Sequence, residues 1–240
     1  MEAKRALVTG ATGGIGYEIC DKLTQNGFYV YVNGRNEEAV GQLADKFLNE
    51  HKLAEKFVCD INDASELKRK LEAIPKLEVL INNAGVLRDN LIYNMSLEDW
   101  DLVVNTNYYS VLQLYEMLDG ILSDNAIIIN LCSISGITPR AGQCAYAVSK
   151  AMLIDWTKNM AKLRNNRKFY AISPGPVNTE LIKKTKWYKQ PNAVNRIPLK
   201  RYCEPGEITD FILMIMENSN AFISGSNFII DGGFIQTVRD

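Results

Sequence analysis

One short stretch constrains this 240-residue chain more than any other. Thr9-Gly-Ala-Thr-Gly-Gly-Ile-Gly16 lies between a β-rich run, Arg5–Thr9, and a helical pattern, Ile15–Asn26. Glycine is needed at such a turn because it allows φ > 0 and because a Cβ would block a pyrophosphate from the backbone. The helix that starts near Gly14 then turns its free N–H groups and positive dipole end toward the phosphates. A glycine cluster by itself also terminates strands. Its place between the first strand and the first helix makes nucleotide binding the stronger reading.

The rest of the chain repeats that strand–helix alternation. Strands are expected near Arg5–Thr9, Phe28–Asn33, Lys56–Cys59, Val79–Asn82, Ala126–Leu131, Lys168–Ile172 and Asn227–Ile230. Most are continuous Val/Ile/Leu runs, as in strands covered on both faces. Helical patterns occupy Ile15–Asn26 and Glu38–Asn49, and a long one follows Ser96, whose Ser-Leu-Glu-Asp start has an N-cap and first-turn acids. Alternation of this kind predicts an α/β protein with a doubly wound, seven-stranded parallel sheet and helices on both faces. No repeat or linker divides residues 1–240, so one dinucleotide-binding Rossmann domain is expected. The basic, weakly periodic stretch from Lys183 to Arg201 reads as a substrate flap, spanning about residues 180–203.

Composition removes several function classes. With 27 Lys+Arg against 28 Asp+Glu, the chain has no basic footprint for nucleic acid. No apolar run approaches the ~20 residues that span a bilayer. The N-terminal Met1-Glu-Ala-Lys-Arg-Ala-Leu-Val enters a strand directly, without a signal-peptide apolar region. Five scattered cysteines, with no Cys-x-x-Cys pair and one distant histidine, His51, fit neither a metal site nor a disulfide framework. A reduced, cytoplasmic compartment is expected.

Two further stretches carry chemistry. The second strand ends Tyr31-Val-Asn-Gly-Arg35, with no acid from Phe28 to Asn36 to take a ribose 2′-OH. A guanidinium there suits a 2′-phosphate, so Arg35 favours NADP(H) over NAD(H). Tyr146-Ala-Val-Ser-Lys150 puts a phenol and an ammonium on one helical face. A nearby positive charge favours the phenolate and readies the phenol for proton transfer. The spacing alone occurs by chance in a chain with 11 Tyr, so context must carry it. Thirteen residues earlier, Ser133 follows the strand Ile127-Ile-Ile-Asn-Leu-Cys132, at the sheet edge where open α/β folds place ligands. A hydroxyl there can donate to a carbonyl oxygen as charge builds on it. Asn82-Asn-Ala-Gly85 closes the fourth strand at the same edge.

Taken together these motifs resemble the short-chain dehydrogenase/reductases, and among them most closely the 3-oxoacyl-(acyl-carrier-protein) reductases. The resemblance covers nearly the whole chain, continuing through Pro174-Gly-Pro-Val-Asn-Thr179 to Ile230-Asp-Gly-Gly233. Arg88-Asp-Asn90 and Ile197-Pro-Leu-Lys-Arg201 point more weakly to the acyl reductases. The resemblance implies that Tyr146 is the general acid in reduction and that Lys150 lowers its pKa and binds the nicotinamide ribose. It implies that Ser133 orients the carbonyl and that Asn107 holds a proton-relaying water. Asn105 and Ser135 are the neighbouring alternatives to Asn107 and Ser133. For the cofactor it places Gly10, Thr12, Gly13, Gly14, Ile15 and Gly16 at the pyrophosphate and Asp60 with Ile61 beside the adenine. Asn83, Ala84 and Gly85 would line the nucleotide cleft, and Pro174, Gly175, Val177 and Thr179 would hold the carboxamide.

The implied activity is NADPH-dependent reduction of a 3-oxoacyl thioester linked to acyl carrier protein, by a homotetramer or homodimer. Three features depart from the family. Gly13 stands where NADP-dependent relatives often carry Arg. Glu116-Met-Leu-Asp-Gly-Ile-Leu-Ser-Asp124 carries acids and no basic residue, which would repel an acidic carrier. The segment from Leu163 to Ser173 is shorter than usual, with Tyr170 where the family generally has Asn. A dehydrogenase or reductase of a small free ketone or alcohol is therefore an alternative. A cofactor-binding regulator that has lost the chemistry is a further one.

Overall fold

A computed structural model describes residues 3–185, 187–217 and 221–236 of the chain. Lys186 of the basic stretch lies outside the described residues. β1 (Arg5–Val8) passes through the glycine loop into α1 (Gly14–Gln25), followed by β2 (Tyr29–Gly34), α2 (Glu37–Asn49), β3 (Ala54–Val58), α3 (Ala64–Leu71) and β4 (Leu77–Asn82). The next connection is α4 (Leu97–Val104), a π-turn over Asn105–Tyr109 and α5 (Ser110–Leu118). It leads to β5 (Leu122–Leu131), α6 (Cys144–Leu163), β6 (Lys168–Pro174), the short α7 (Glu180–Lys183), α8 (Pro205–Glu217) and β7 (Asn227–Ile230). The seven strands form one all-parallel sheet in the order β3-β2-β1-β4-β5-β6-β7.

Alternate strand residues feed two cores. Ala6, Val8, Val30, Val32, Ile81 and Ile129 face α1, α2 and α8, meeting Ile19, Leu23, Val40, Phe47, Ile208 and Ile212. Their neighbours Leu7, Tyr31, Leu80 and Ile128 face the other side, against Leu67, Leu71, Leu114 and Leu118 of α3 and α5. That two-sided burial is why the strands read as unbroken apolar runs.

The differences from the sequence reading have local causes. α3, which the sequence reading does not single out, carries ordinary helix signals: Asp63 caps it, and Leu67 and Leu71, one turn apart, face the core. The helix after Ser96 is interrupted by the π-turn, a bulge of the kind found inside helices near functional sites. β5 starts at Leu122 rather than Ala126, so Asp124 belongs to the strand. No helix among the described residues is long and apolar enough to cross a membrane.

Candidate active site

The strand order reverses direction of growth between β1 and β4, and the carboxyl ends of these strands open the crevice typical of such sheets. The glycine loop is clamped into it. Thr9 Oγ1 accepts from the backbone N–H groups of Asn83 and Ala84, each at 3.0 Å. The Asn83 side-chain amide donates to the carbonyls of Thr9 and Gly10 at 3.1 and 3.0 Å. Gly10 has φ +63°, and a Cβ on it would stand 2.8 Å from the Ala84 Cα. A Cβ on Gly16 would fall 2.2 Å from the Gly10 carbonyl oxygen. These two glycines thus serve the close packing of loop on loop, with Ala84 beneath.

Gly13 is different. Its φ is −81°, and a Cβ there would meet only the Gly10 oxygen, at 3.4 Å. It is the N-cap of α1, which has no side-chain cap, whereas Asn36, Asp63 and Ser96 cap α2, α3 and α4. The first N–H groups of α1 are therefore left for an anion. Thr12 lies against Gly34 at the end of β2, and Arg35 follows it as an exposed side chain. Asn33 is buried and spends its amide on the carbonyls of Phe57 and Cys59. Beyond β3, the Asp60 carboxylate accepts from the backbone and side chain of Asn62 at 2.9 and 3.0 Å, and Ile61 is buried beside it. Together these features could hold a dinucleotide.

Ser133, Tyr146 and Lys150 line one cleft of about 160 Å³, with Ile15, Asn83, Gly85, Pro174, Gly175, Val177 and Thr179 in its walls. Ser133 leaves β5 with its Oγ accepting from the Ser135 N–H at 3.1 Å. Ser135 turns its own hydroxyl to the Gln143 side chain at 3.0 Å. Burial pushes the Tyr146 phenol up to about 12, while a hydrogen bond with Ser133 pulls the other way. Asp89 adds to the rise and Arg140 opposes it. Lys150 is buried, which draws its ammonium down from the ordinary lysine range, and its Nζ donates to the Leu131 carbonyl at 2.6 Å.

Asn107 is fully buried and Asn105 is exposed. The Asn107 side chain exchanges hydrogen bonds with both backbone groups of Val86, at 2.8 and 3.0 Å, and donates to Ser149 Oγ at 3.2 Å. Its Oδ1 would lie 3.2 Å from a Cβ on Gly85, and Lys150 Nζ 3.7 Å from it, so the three residues converge. Gly175 is required for another close approach, since a Cβ there would stand 2.8 Å from the Asp231 Cα. Asp231 in turn caps the turn after β7, accepting from Gly233 and Ile235 N–H at 2.8 Å each.

A larger cavity of about 1000 Å³ adjoins the cleft and shares Arg140, Gln143 and Trp187 with it. Arg140 and Trp187 are absent from the sequence reading, because nothing in the spacing of either links it to Tyr146. Leu181, Ile182 and Thr185, from the stretch read as a flap, also line the cleft. Among the described residues no cluster of His, Cys, Asp or Glu is suited to a metal, and all five cysteines are free.

A sequence model described as short chain dehydrogenase matches residues 4–189. The 3-oxoacyl-(acyl-carrier-protein) reductase of Thermotoga maritima is 32% identical over 243 residues, covering 98% of this chain and 99% of that protein. Carbonyl reductase family member 4 of Danio rerio is 32% identical over 238 residues, covering 96% and 98%. Among solved structures, a gluconate 5-dehydrogenase from Burkholderia cenocepacia in complex with NADP and tartrate superimposes with a TM-score of 0.89 at 23% identity, covering 99% of this chain and 97% of that one. Actinorhodin polyketide ketoreductase with NADPH gives 0.88 at 24% identity, covering 97% of each.

Proposed function

Because this chain belongs to the short-chain dehydrogenase family, we propose that it is an NADPH-dependent ketoreductase that reduces a 3-oxoacyl thioester, carried by acyl carrier protein, to the 3-hydroxyacyl form. The observation that carries this reading is the convergence of Ser133, Tyr146 and Lys150 on one cleft whose wall continues into the glycine loop at Ile15. The 3-oxoacyl reductase similarity over nearly the full chain supports the substrate class. The uncapped start of α1 fits a pyrophosphate, and exposed Arg35 at the end of β2 fits a 2′-phosphate. Thr12, Gly13, Gly14 and Gly16 would flank the pyrophosphate with Gly10, while Asp60 and Ile61 would border the adenine. Pro174, Gly175, Val177 and Thr179 would hold the carboxamide.

When bound, the reduced nicotinamide supplies the hydride that the carbonyl carbon accepts. Ser133 donates its hydroxyl proton to the carbonyl oxygen as a hydrogen bond and fixes its direction. Tyr146, kept protonated by its buried setting, delivers its proton as that oxygen gains charge. Lys150 stabilises the resulting phenolate, and Asn107, buried in the π-turn beside it, holds the water through which the proton is replaced. Residues 180–203 act as the flap over this site, contributing Leu181, Ile182 and Trp187. Exposed Leu97, Tyr109 and Leu163, on α4 to α6, support an oligomer, assigned as a homotetramer or homodimer. Five unpaired cysteines support a cytoplasmic setting.

A small free ketone is the second reading, favoured by the pairing of two of the flap's basic residues within the chain. Lys183 pairs with Glu180 at 2.8 Å, and Arg201 pairs with Glu207 at 2.6 Å. On the other side, Asp119 of the acidic stretch is met by Arg167 at 2.6 Å and Arg164 at 3.5 Å, which softens its repulsion of a carrier. The test is NADPH oxidation with one short 3-oxoacyl group, offered as its acyl-carrier form and as a free thioester. Much higher kcat/KM on the carrier form supports the first reading. Equal or better turnover of the free thioester supports the second. Intact NADPH binding with no turnover of a broad carbonyl panel would make the chain a cofactor-binding regulator.

A further inference from the structure

The cavity beside the cleft is far larger than a small ketone needs, being of the size that encloses a drug-sized ligand. Arg140 lines both cavities together with Gln143 and Trp187, so a ligand that spans the two from a carbonyl at Ser133 and Tyr146 comes within reach of this guanidinium. Two rings position it. The guanidinium carbon lies 5.2 Å from the centre of Trp187 and 5.6 Å from that of Phe234, and the two rings meet edge to face at 88°. Cation–π contact with both rings restricts the side chain before any ligand arrives, which lowers the entropy cost of using it. A second guanidinium, Arg196, lines the same cavity, against one acid, Asp89, among its described walls. The charge of Arg140 also reaches the Tyr146 phenol, which it favours in the ionised form.

We propose that the carbonyl substrate carries a negative charge of its own and that Arg140 receives it, with Arg196 as a second contact. The proposal rests on the ketoreductase reading of the cleft and specifies the substrate class. The chemistry required is a set of anionic oxygens presented to a planar fork of N–H donors. A carboxylate of a free oxo acid offers them, and so does the phosphate of a pantetheine arm. Arg140 is here a specificity residue: it acts on which carbonyl compound is held, while Tyr146 and Ser133 act on the carbonyl itself.

Two matched pairs of substrates test this and separate the sources. A homologous series of oxo carboxylates is compared with the corresponding methyl esters. A 3-oxoacyl phosphopantetheine thioester is compared with its N-acetylcysteamine analogue, which lacks the phosphate. The expected result is a kcat/KM about tenfold or more higher for the anionic member of one pair, carried by KM. That ratio should fall to within about twofold in Arg140→Gln and be partly kept in Arg140→Lys. Ratios near one for both pairs in the unaltered enzyme, or a preference that survives in Arg140→Gln, would overturn the proposal while leaving the ketoreductase reading intact. If no carbonyl is reduced, that reading fails, and Trp187 emission still reports on Arg140. Saturable quenching by hexanoate or phosphopantetheine, but not by hexanamide, should then vanish in Trp187→Phe and weaken in Arg140→Gln. Equal responses to hexanoate and hexanamide, with none to phosphopantetheine, would count against an anion site.

Discussion

Lys150 holds its Nζ 5.8 Å from the centre of the Tyr146 ring while donating to the Leu131 carbonyl at 2.6 Å. One turn of α6 is thus tied to the end of β5, the strand that delivers Ser133. The phenol is positioned from two elements, so removing its oxygen alone should leave the pocket intact. Tyr146→Phe is expected to bind NADPH like the unaltered protein and to lose about 10³-fold in turnover, the usual range for a lost general acid. A variant keeping a tenth of the activity would remove Tyr146 from that role.

The same burial sets a pH dependence. A phenol pushed up to about 12 keeps its proton throughout the neutral range. Reduction needs that proton, so its kcat should stay flat from about pH 6 to about pH 9. Oxidation of the alcohol needs the phenolate and should rise with pH over the same interval, helped by Lys150 and the positive charge of the oxidised nicotinamide. Stopped-flow rates in both directions check this. A reduction rate that declines from neutrality upward would show that the phenol titrates much lower in the working enzyme.

Arg35 follows β2 without an acid beside it, and its side chain is exposed. Replacing it should therefore disturb the 2′-phosphate alone. Arg35→Ala is expected to weaken NADPH by about 1–3 kcal/mol through loss of a charge-assisted contact, with little change for NADH. Isothermal titration of both cofactors decides it. Equal weakening of the two would mean that Arg35 does not read the 2′-phosphate.

The strand–helix alternation and the sheet edge were legible in the sequence because two-sided burial writes unbroken apolar runs and glycine marks tight loop packing. β7 ends at the residues expected, and Tyr146, Lys150 and Ser133 meet in one cleft. The π-turn that breaks the helix after Ser96 leaves no mark on periodicity or local composition. Asn105 and Asn107 could not be told apart by spacing either; a π-turn buries one and exposes the other. Charge was the least legible layer. The acids of Glu116–Asp124 look unopposed along the chain, yet Arg164 and Arg167 reach Asp119 from the α6–β6 connection. Arg140 and Trp187 are distant in sequence and come together only in the fold.

Tyr170 carries the last prediction. It sits in β6 with no exposed surface, its ring 6.3 Å from that of Phe228, and its hydroxyl has no hydrogen-bond partner among the described residues. A buried hydroxyl left unpaired costs its desolvation without the compensating bond. Tyr170→Phe retains the ring packing and removes that cost, so it should stabilise the fold by about 0.5–1.5 kcal/mol. Tyr170→Ala, which also empties the ring's space, should destabilise it by about 3–5 kcal/mol. Urea unfolding reads both: the midpoint should rise for Phe at unchanged slope and fall for Ala. A lower midpoint for Tyr170→Phe would mean that the hydroxyl is satisfied in solution, by water or by a partner subunit, and that this position contributes a polar contact rather than a strained one.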